Sequence, residues 1–242
     1  ANRAIGTSWA AHANADIAMK YPDYAPQAID ANRAIGTSWA AHANADIAIQ
    51  HPDYAAQAIA ANTAIGMDKA AHANARIAKN YSDYAAQAID ANRASGTSWA
   101  AHANADIAIK YRDFVPQAID ANKGIGTDEA IWQIDRIARA NPAQNFHALS
   151  AMVERVEANL RDSGEKIPKQ RVREAIDATR KRLEENEQVL VQTFAQADRD
   201  GILRDDLETQ LNDMLDRSRR LVPEKEPNTN PHAVDRVPHP WR

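Results

Sequence analysis

Alanine-rich apolar positions and polar positions recur along the first half of the chain with a fixed period of 30 residues. Residues 1–30 and 31–60 are identical at 25 of 30 positions, and residues 91–120 match residues 1–30 equally well. Residues 61–90 match more loosely, and residues 121–150 form a degenerate fifth copy. A period of this length is typical of a solenoid, in which each unit buries its apolar face only against its neighbours.

Two breaks in each unit predict a pair of helices. Gly6 and Thr7 form the first break, because glycine ends a helix in the left-handed conformation and threonine caps the next helix. Helix A is predicted from about residue 8 to 21 and helix B from about 24 to 35. Asp23 is expected to cap helix B through its carboxylate. Each unit is therefore predicted to be an αα-hairpin, with positive φ at the recurring glycines 36 and 96.

Alanine dominates the inward arcs of both helices, so a single hairpin buries too little apolar area to offset its ordering entropy. Stacking of units is therefore predicted to be obligatory. Two asparagines per unit also lie on these arcs, and buried amides need hydrogen-bond partners. We predict a ladder of amides that bond one another or loop carbonyls, with contact to a ligand as the alternative. The ladder comprises Asn14, Asn32, Asn44, Asn62, Asn74, Asn92, Asn104 and Asn122.

The last third of the chain is not repetitive. One helix is predicted to end near Gly164, and a second to run without interruption from Pro168 through a heptad seam to Ala197. A third follows Gly201. Residues 151–222 are therefore predicted to form a small helical bundle that caps the solenoid over 1–150. Residues 223–242 contain five prolines and are predicted to be an extended tail, in which Trp241 is a candidate contact for a partner.

Composition excludes several classes of function. The chain has no cysteine, so disulfides and thiolate metal sites are excluded. Residues 1–120 carry 9 basic and 11 acidic side chains, and residues 151–242 carry 17 basic and 19 acidic side chains. Neither part therefore indicates the predominantly basic face that binding of nucleic acid requires. No apolar run is long enough for a membrane span. We expect a soluble chain from the cytoplasm or an organelle, processed or partial at Ala1, because Ala1 lies at a repeat boundary.

A polar and aromatic set recurs on the outward arc of helix A and is the candidate partner-binding face. Its members are Trp9, His12, Asp16, Trp39, His42, Asp46, Trp99, His102 and Asp106. Histidine and aspartate at i, i+4 can chelate a metal, whereas an ion pair or a contact between repeats needs no ligand. Lys69 and Arg76 break the pattern in the third copy, and no metal is predicted. The tryptophans are either packed between units or exposed as a row for a partner.

Lys123 to Glu129 read K-G-I-G-T-D-E. This segment resembles the calcium-binding loop of annexins, and the resemblance implies that its carbonyl oxygens bind calcium at a membrane surface. Annexin repeats are longer than this 30-residue period, and the other copies lack the acidic pair. A glycine–threonine helix junction without calcium is the alternative.

The chain carries no nucleophile motif, phosphate loop or convergent acid–base pair, so neither an enzyme nor a cofactor is predicted. Repeat proteins commonly present extended binding surfaces. The function predicted from sequence is a non-catalytic helical-repeat scaffold, or a structural subunit, that binds a protein partner within a larger assembly. The alternative is a calcium-dependent protein that binds membrane surfaces through annexin-like loops.

Overall fold

The computed structural model describes residues 7–166 and 168–223, and over these ranges it contains thirteen α-helices and no strand. The prediction of an all-α helical-repeat protein is confirmed. The helices are α1 (Ser8–Lys20), α2 (Ala25–Ile35), α3 (Ser38–Gln50), α4 (Ala55–Ile65), α5 (Asp68–Asn80), α6 (Ala85–Ser95), α7 (Ser98–Lys110), α8 (Val115–Ile125), α9 (Asp128–Ala140), α10 (Asn145–Ser163), α11 (Gln170–Glu185), α12 (Glu187–Arg199) and α13 (Arg204–Leu221). The tail predicted beyond Pro223, with Trp241, lies outside the described residues.

The predicted breaks between helices have the expected chemistry. The hydroxyl of Thr37 accepts a hydrogen bond from the Ala40 amide at 3.2 Å, and Thr7, Thr97 and Thr127 cap their helices in the same way. Gly36 and Gly96 have φ of 69° and 64°, which confirms the predicted left-handed ends of α2 and α6. Each hairpin is thus closed by glycine, and the next begins at threonine or, in the third unit, at Met67.

The predicted caps of the B helices are wrong. Asp23 lies in a 3-10 turn, Pro22–Tyr24, and no side chain caps α2; the corresponding turns before α4, α6 and α8 are the same. The Tyr24 amide donates to the Tyr21 carbonyl, and the Ala25 amide donates to the Pro22 carbonyl. Because the turn supplies these backbone partners, the carboxylate is not needed and stays exposed.

The continuous helix predicted from Pro168 to Ala197 is also wrong. Asn186 interrupts it with φ of −112° and ψ of 94°, and separates α11 from α12. Its side chain accepts a hydrogen bond from the Val189 amide at 3.2 Å, so it is the N-cap of α12. The sequence after residue 144 therefore forms four helices, α10 to α13, and not three.

The helices of successive hairpins stack in two layers. One layer contains α1, α3, α5, α7 and α9, and the other contains α2, α4, α6, α8 and α10. The core between them consists mainly of buried alanines, with one buried isoleucine in each of α2 to α8, such as Ile47 and Ile59, as the largest apolar side chain. Small side chains allow close approach of the backbones, so contact between neighbouring repeats supplies most of the burial.

A line of buried asparagine amides runs along this core, and the predicted ladder is confirmed. The hydrogen bonds run from Nδ2 to Oδ1 and are Asn14 to Asn32 (3.0 Å), Asn44 to Asn62 (3.1 Å), Asn62 to Asn74 (3.1 Å), Asn74 to Asn92 (3.3 Å), Asn92 to Asn104 (3.1 Å) and Asn104 to Asn122 (3.1 Å). One link is not made, since Asn32 Nδ2 and Asn44 Oδ1 are buried without a partner. The line alternates between the two layers and so joins helices within and between repeats.

The ladder ends where the repeats diverge. Asn122 Nδ2 donates to the Ala101 carbonyl at 3.2 Å, and the next positions of the repeat hold Ile134 and Met152. Directly after Ile134, Asp135 replaces the core alanine of the other copies, and its side chain is 2% exposed. Arg182 donates to this carboxylate at 2.7 Å and Thr179 at 3.0 Å. A buried carboxylate therefore attaches α11 to α9.

The two classes of repeat glycine are expected to respond differently to alanine. At Gly36 an added Cβ meets only the Arg33 carbonyl, at 4.0 Å, so the cost arises from the left-handed backbone and is roughly 1–2 kcal/mol. At Gly126 the added Cβ also overlaps the guanidinium of Arg155, so this side chain has to move and its buried Nε has to leave its place. Urea denaturation is expected to show that Gly126→Ala is destabilised more than Gly36→Ala. Equal stability of Gly36→Ala and the wild type would contradict the proposed helix end.

Truncation of a central asparagine is expected to destabilise the whole array. Asn92→Ala leaves the Asn74 donor and the Asn104 acceptor without their partner, at roughly 1–3 kcal/mol for each unpaired group. The matched control is Asn80→Ala on the exposed surface of α5, where the expected change is small. Equal effects of the two substitutions on the free energy of unfolding would show that the ladder does not stabilise the repeats.

Candidate partner-binding face

Alternating indole and imidazole rings cover the outer side of the first helix layer. We call these residues the outer row, and it contains Trp9, His12, Trp39, His42, His72, Trp99, His102 and Trp132. The ring centroids are 5.8 Å apart for His12 and Trp39, 6.1 Å for Trp39 and His42, 5.0 Å for His72 and Trp99, 6.2 Å for Trp99 and His102, and 6.3 Å for His102 and Trp132. Each internal tryptophan therefore contacts imidazoles of its own and of the preceding repeat.

The tryptophans nevertheless remain open to solvent. Trp39 is 52% exposed, Trp99 is 48% exposed and Trp9 is 84% exposed. For Trp39 and Trp99 both alternatives drawn from the sequence apply, because each side chain packs between units on one side and faces outward on the other. Large exposed apolar patches are unusual on a monomer and commonly mark sites of interaction with a partner.

The aspartates of this face pair with the following repeat. Arg76 donates to Asp46 at 2.7 Å, and Arg136 donates to Asp106 at 2.9 Å, each across 30 residues. These contacts between repeats take the place of the His–Asp pair within one helix, and they are exposed enough that each contributes only about 0–1 kcal/mol. Asp16 is exposed. Over residues 7–166 and 168–223, no group of three or more histidine, aspartate or glutamate side chains is placed to hold a metal.

The third repeat forms a basic notch in this face, a cavity of about 350 Å³ between α3, α5 and α7. It is lined by His42, Lys69, His72, Ala75, Arg76, Lys79, Trp99 and Asp106. Lys69 occupies a tryptophan position of the repeat, and its Nζ lies 5.8 Å from the Trp39 ring centroid. Three cationic side chains against one carboxylate give the notch a positive charge. Its shape and charge fit a small anionic group.

The recurrence of residues between copies does not select Lys69, His72, Arg76 and Lys79, because the third copy departs from the repeat pattern at several of these positions. A signal was present, since these residues are spaced by three, four and three positions on α5 and share one helix face. The departures from the repeat therefore mark the notch more clearly than the recurring residues do.

The two histidines of the notch are less basic than free imidazoles. Burial, followed by the positive charge of Arg76, lowers the pKa of His42, while Asp46 opposes this shift. Burial also lowers the pKa of His72, with Asp106 opposing, and the Nε2 atom of His72 is buried without a hydrogen-bond partner. Both imidazoles are therefore neutral at neutral pH. The positive charge of the notch comes from its lysines and arginine.

The annexin-like segment, Lys123 to Glu129, joins α8 to α9 and is engaged by other side chains. Asn159 donates to the Gly126 carbonyl at 3.0 Å, and Lys169 pairs with Asp128 at 2.6 Å. Glu129 pairs with Arg171 and with His102, and Lys123 pairs with Glu154. Thr127 caps α9. These contacts are those of a helix junction that also holds the start of α11.

Comparison of the chain with protein-family models, with curated proteins and with solved structures gave no match. The resemblance to annexins thus rests on one short segment. Of the helices in the described ranges, none has the length and apolar character needed to cross a bilayer. The geometry of the outer row and the basic notch is therefore the basis for any functional proposal.

Acidification is expected to destabilise the protein through the notch. The pKa values of His42 and His72 are lowered from 6.5 by folding, so the unfolded chain binds protons first as the pH falls through that value. The free energy of unfolding is therefore expected to decrease from about pH 7.5 to about pH 5.5. Urea denaturation of a His42→Gln, His72→Gln double variant is expected to show a smaller decrease. A decrease as large as that of the wild type would contradict the assignment.

Proposed function

We propose that this protein is a non-catalytic helical-repeat scaffold that binds a protein partner along the outer row. The observation that carries the proposal is the half exposure of Trp39 and Trp99, whose rings also pack against imidazoles of the preceding repeat. Tryptophan is enriched among the residues that dominate binding energy, and rigid aromatic side chains lose little entropy on binding. A solenoid presents such side chains at fixed spacing to an extended partner.

The basic notch adds charge selectivity to this surface. Lys69 and Lys79 have no ion pair in the described structure, whereas Arg76 is already paired with Asp46. A carboxylate side chain of the partner can pair with Lys69 or with Lys79, since neither has an ion pair within the described residues. We therefore infer a partner segment in which an acidic residue accompanies apolar residues that contact the tryptophans.

We further propose that residues 1–150 form the binding array and that residues 151–222 close its end. The support is the attachment of α11 to α9 through Asp135 and of α13 to α10 through Glu157 and Arg217, which are joined by two hydrogen bonds of 2.6 and 3.1 Å. The calcium-dependent alternative lacks comparable support. Its acidic side chains, Asp128 and Glu129, are already paired with basic residues of α11 or the residue before it.

The proposal is tested by affinity capture from a lysate of the organism that encodes the chain, followed by quantitative mass spectrometry. A Trp39→Ser, Trp99→Ser double variant is expected to lose a retained protein by about tenfold or more, since buried tryptophans at interfaces contribute 2 kcal/mol or more. Lys69→Glu is expected to lose the same protein. Circular dichroism verifies that the variants are folded.

The matched control is a Val191→Ser, Leu203→Ser double variant, which removes exposed apolar side chains far from the outer row (60% and 71% exposed). It is expected to retain what the wild type retains. If the tryptophan variant and the wild type capture the same proteins in the same amounts, the outer row is not the binding surface.

A further inference from the structure

Trp39 and Trp99 have the same arrangement in the outer row. Each indole contacts an imidazole of the preceding repeat, with ring centroids 5.8 Å apart for Trp39 and His12 and 5.0 Å apart for Trp99 and His72. Each indole also contacts the imidazole three residues later on its own helix, at 6.1 and 6.2 Å. An indole between two imidazoles, one from each of two neighbouring repeats, is therefore how this face is built on α3 and α7.

The third repeat lacks this indole. Residue 69 is lysine, whereas residues 9, 39 and 99 at the same position of the other copies are tryptophan. His42 contacts the ring of Trp39, and His72 contacts that of Trp99. No aromatic contact joins His42 to His72 within the described residues. We call the position between these two imidazoles the ring gap.

The ring gap opens into the basic notch. His42, His72, Trp99 and Lys69 all line this cavity of about 350 Å³. Lys69 is exposed, and its Nζ lies 5.8 Å from the ring centroid of Trp39 in the preceding repeat. The side chain that replaces the indole thus leaves space beside the imidazoles. Cavities that bind small groups have volumes of about 300–1,000 Å³, so an aromatic ring can enter this one.

The charge beside the ring gap is positive. Lys79 lines the same cavity, and neither Lys69 nor Lys79 has an ion pair within the described residues. Arg76 is paired with Asp46. An aromatic group that carries a carboxylate, or that stands next to one, therefore matches both the rings and the charge of the notch.

We infer that the ring gap receives an aromatic side chain of the partner, accompanied by an acidic group that pairs with the lysines of the notch. The inference rests on the proposed function, because it assigns the part of the partner that enters the outer row. The incoming ring lies between His42 and His72, as Trp99 lies between its own two imidazoles. It completes the row of rings at the one internal tryptophan position that α3, α5 and α7 leave without an indole.

Substitution of Lys69 tests the ring gap without the partner. In Lys69→Trp the new indole is expected to lie between the two imidazoles and to shift the ring protons of His42 and His72 upfield in nuclear magnetic resonance spectra. Measurement at about pH 8 keeps both imidazoles neutral. The matched control is Lys69→Leu, which removes the charge without adding a ring. Shifts in Lys69→Trp that are no larger than those in Lys69→Leu would overturn the inference.

A free aromatic carboxylate tests the same site from the partner's side. Indole-3-acetate is expected to shift the imidazole resonances of the full chain with a dissociation constant of about 1 mM, as is usual for a ligand of this size. Acetate, which has the charge without the ring, is expected to bind at least tenfold more weakly. Lys69→Trp is expected to abolish the binding, because its own indole occupies the gap. Equal binding of acetate, no saturable shift with indole-3-acetate, or unchanged binding by Lys69→Trp would each overturn the inference.

These outcomes are separate from those of the capture experiment. If the ring gap binds neither indole, while the Trp39→Ser, Trp99→Ser variant loses its captured protein, the outer row binds a partner but the inference is wrong. If both indoles enter the gap, while that variant captures the same proteins as the wild type, the inference holds for the site and the proposed function of the outer row is contradicted.

Discussion

The hydrogen bonds between buried asparagines determine how the repeats of this protein register on one another. From Asn62 to Asn104, each amide donates to one neighbour and accepts from another, and the line passes from the first helix layer to the second and on to the next repeat. Alanine packing alone does not select one register, because small side chains fit together in several registers. A buried amide that misses its partner is costly, so the ladder favours one register. This register in turn determines which side chains of neighbouring repeats meet.

The outer row depends on this register. Trp99 lies between His72 and His102 because consecutive first-layer helices are held at a constant offset. Arg76 reaches Asp46 for the same reason, across 30 residues. The proposed binding surface is therefore rigid without large core side chains. The isoleucines and alanines fill the space, the asparagines fix the offset, and the tryptophans are presented outward at that offset.

Much of the fold was predictable from sequence, since the period, the glycine–threonine breaks and the inward asparagines each have one simple physical meaning. The absence of an Asp23 cap was not predictable. A 3-10 turn satisfies the same backbone donors as a capping carboxylate, and the sequence pattern does not distinguish a turn from a cap. The break at Asn186 was missed because the heptad seam continues through it, while a capping asparagine divides the backbone. The basic notch is not predicted, because in a comparison with the other copies the substitutions in α5 look like degeneration of the repeat.

The attachment of the last helices also lies beyond sequence periodicity. Asp135 occupies a position that holds alanine elsewhere, and only the structure shows that Arg182 and Thr179 meet it there. A single acidic substitution in the core of the fifth copy thus changes a repeat interface into the attachment point of a different set of helices. Long-range pairs of this kind depend on how the chain folds back, which a local pattern does not contain.

Native-state hydrogen exchange, with the asparagine side-chain amides resolved by nuclear magnetic resonance, tests the central claim most directly. If the amide ladder holds the repeats in register, the side-chain amides of Asn62, Asn74, Asn92 and Asn104 exchange as slowly as the backbone amides of α4 to α7. Side-chain amides that exchange at the rate of a free asparagine, in a chain whose backbone is protected, would contradict the account.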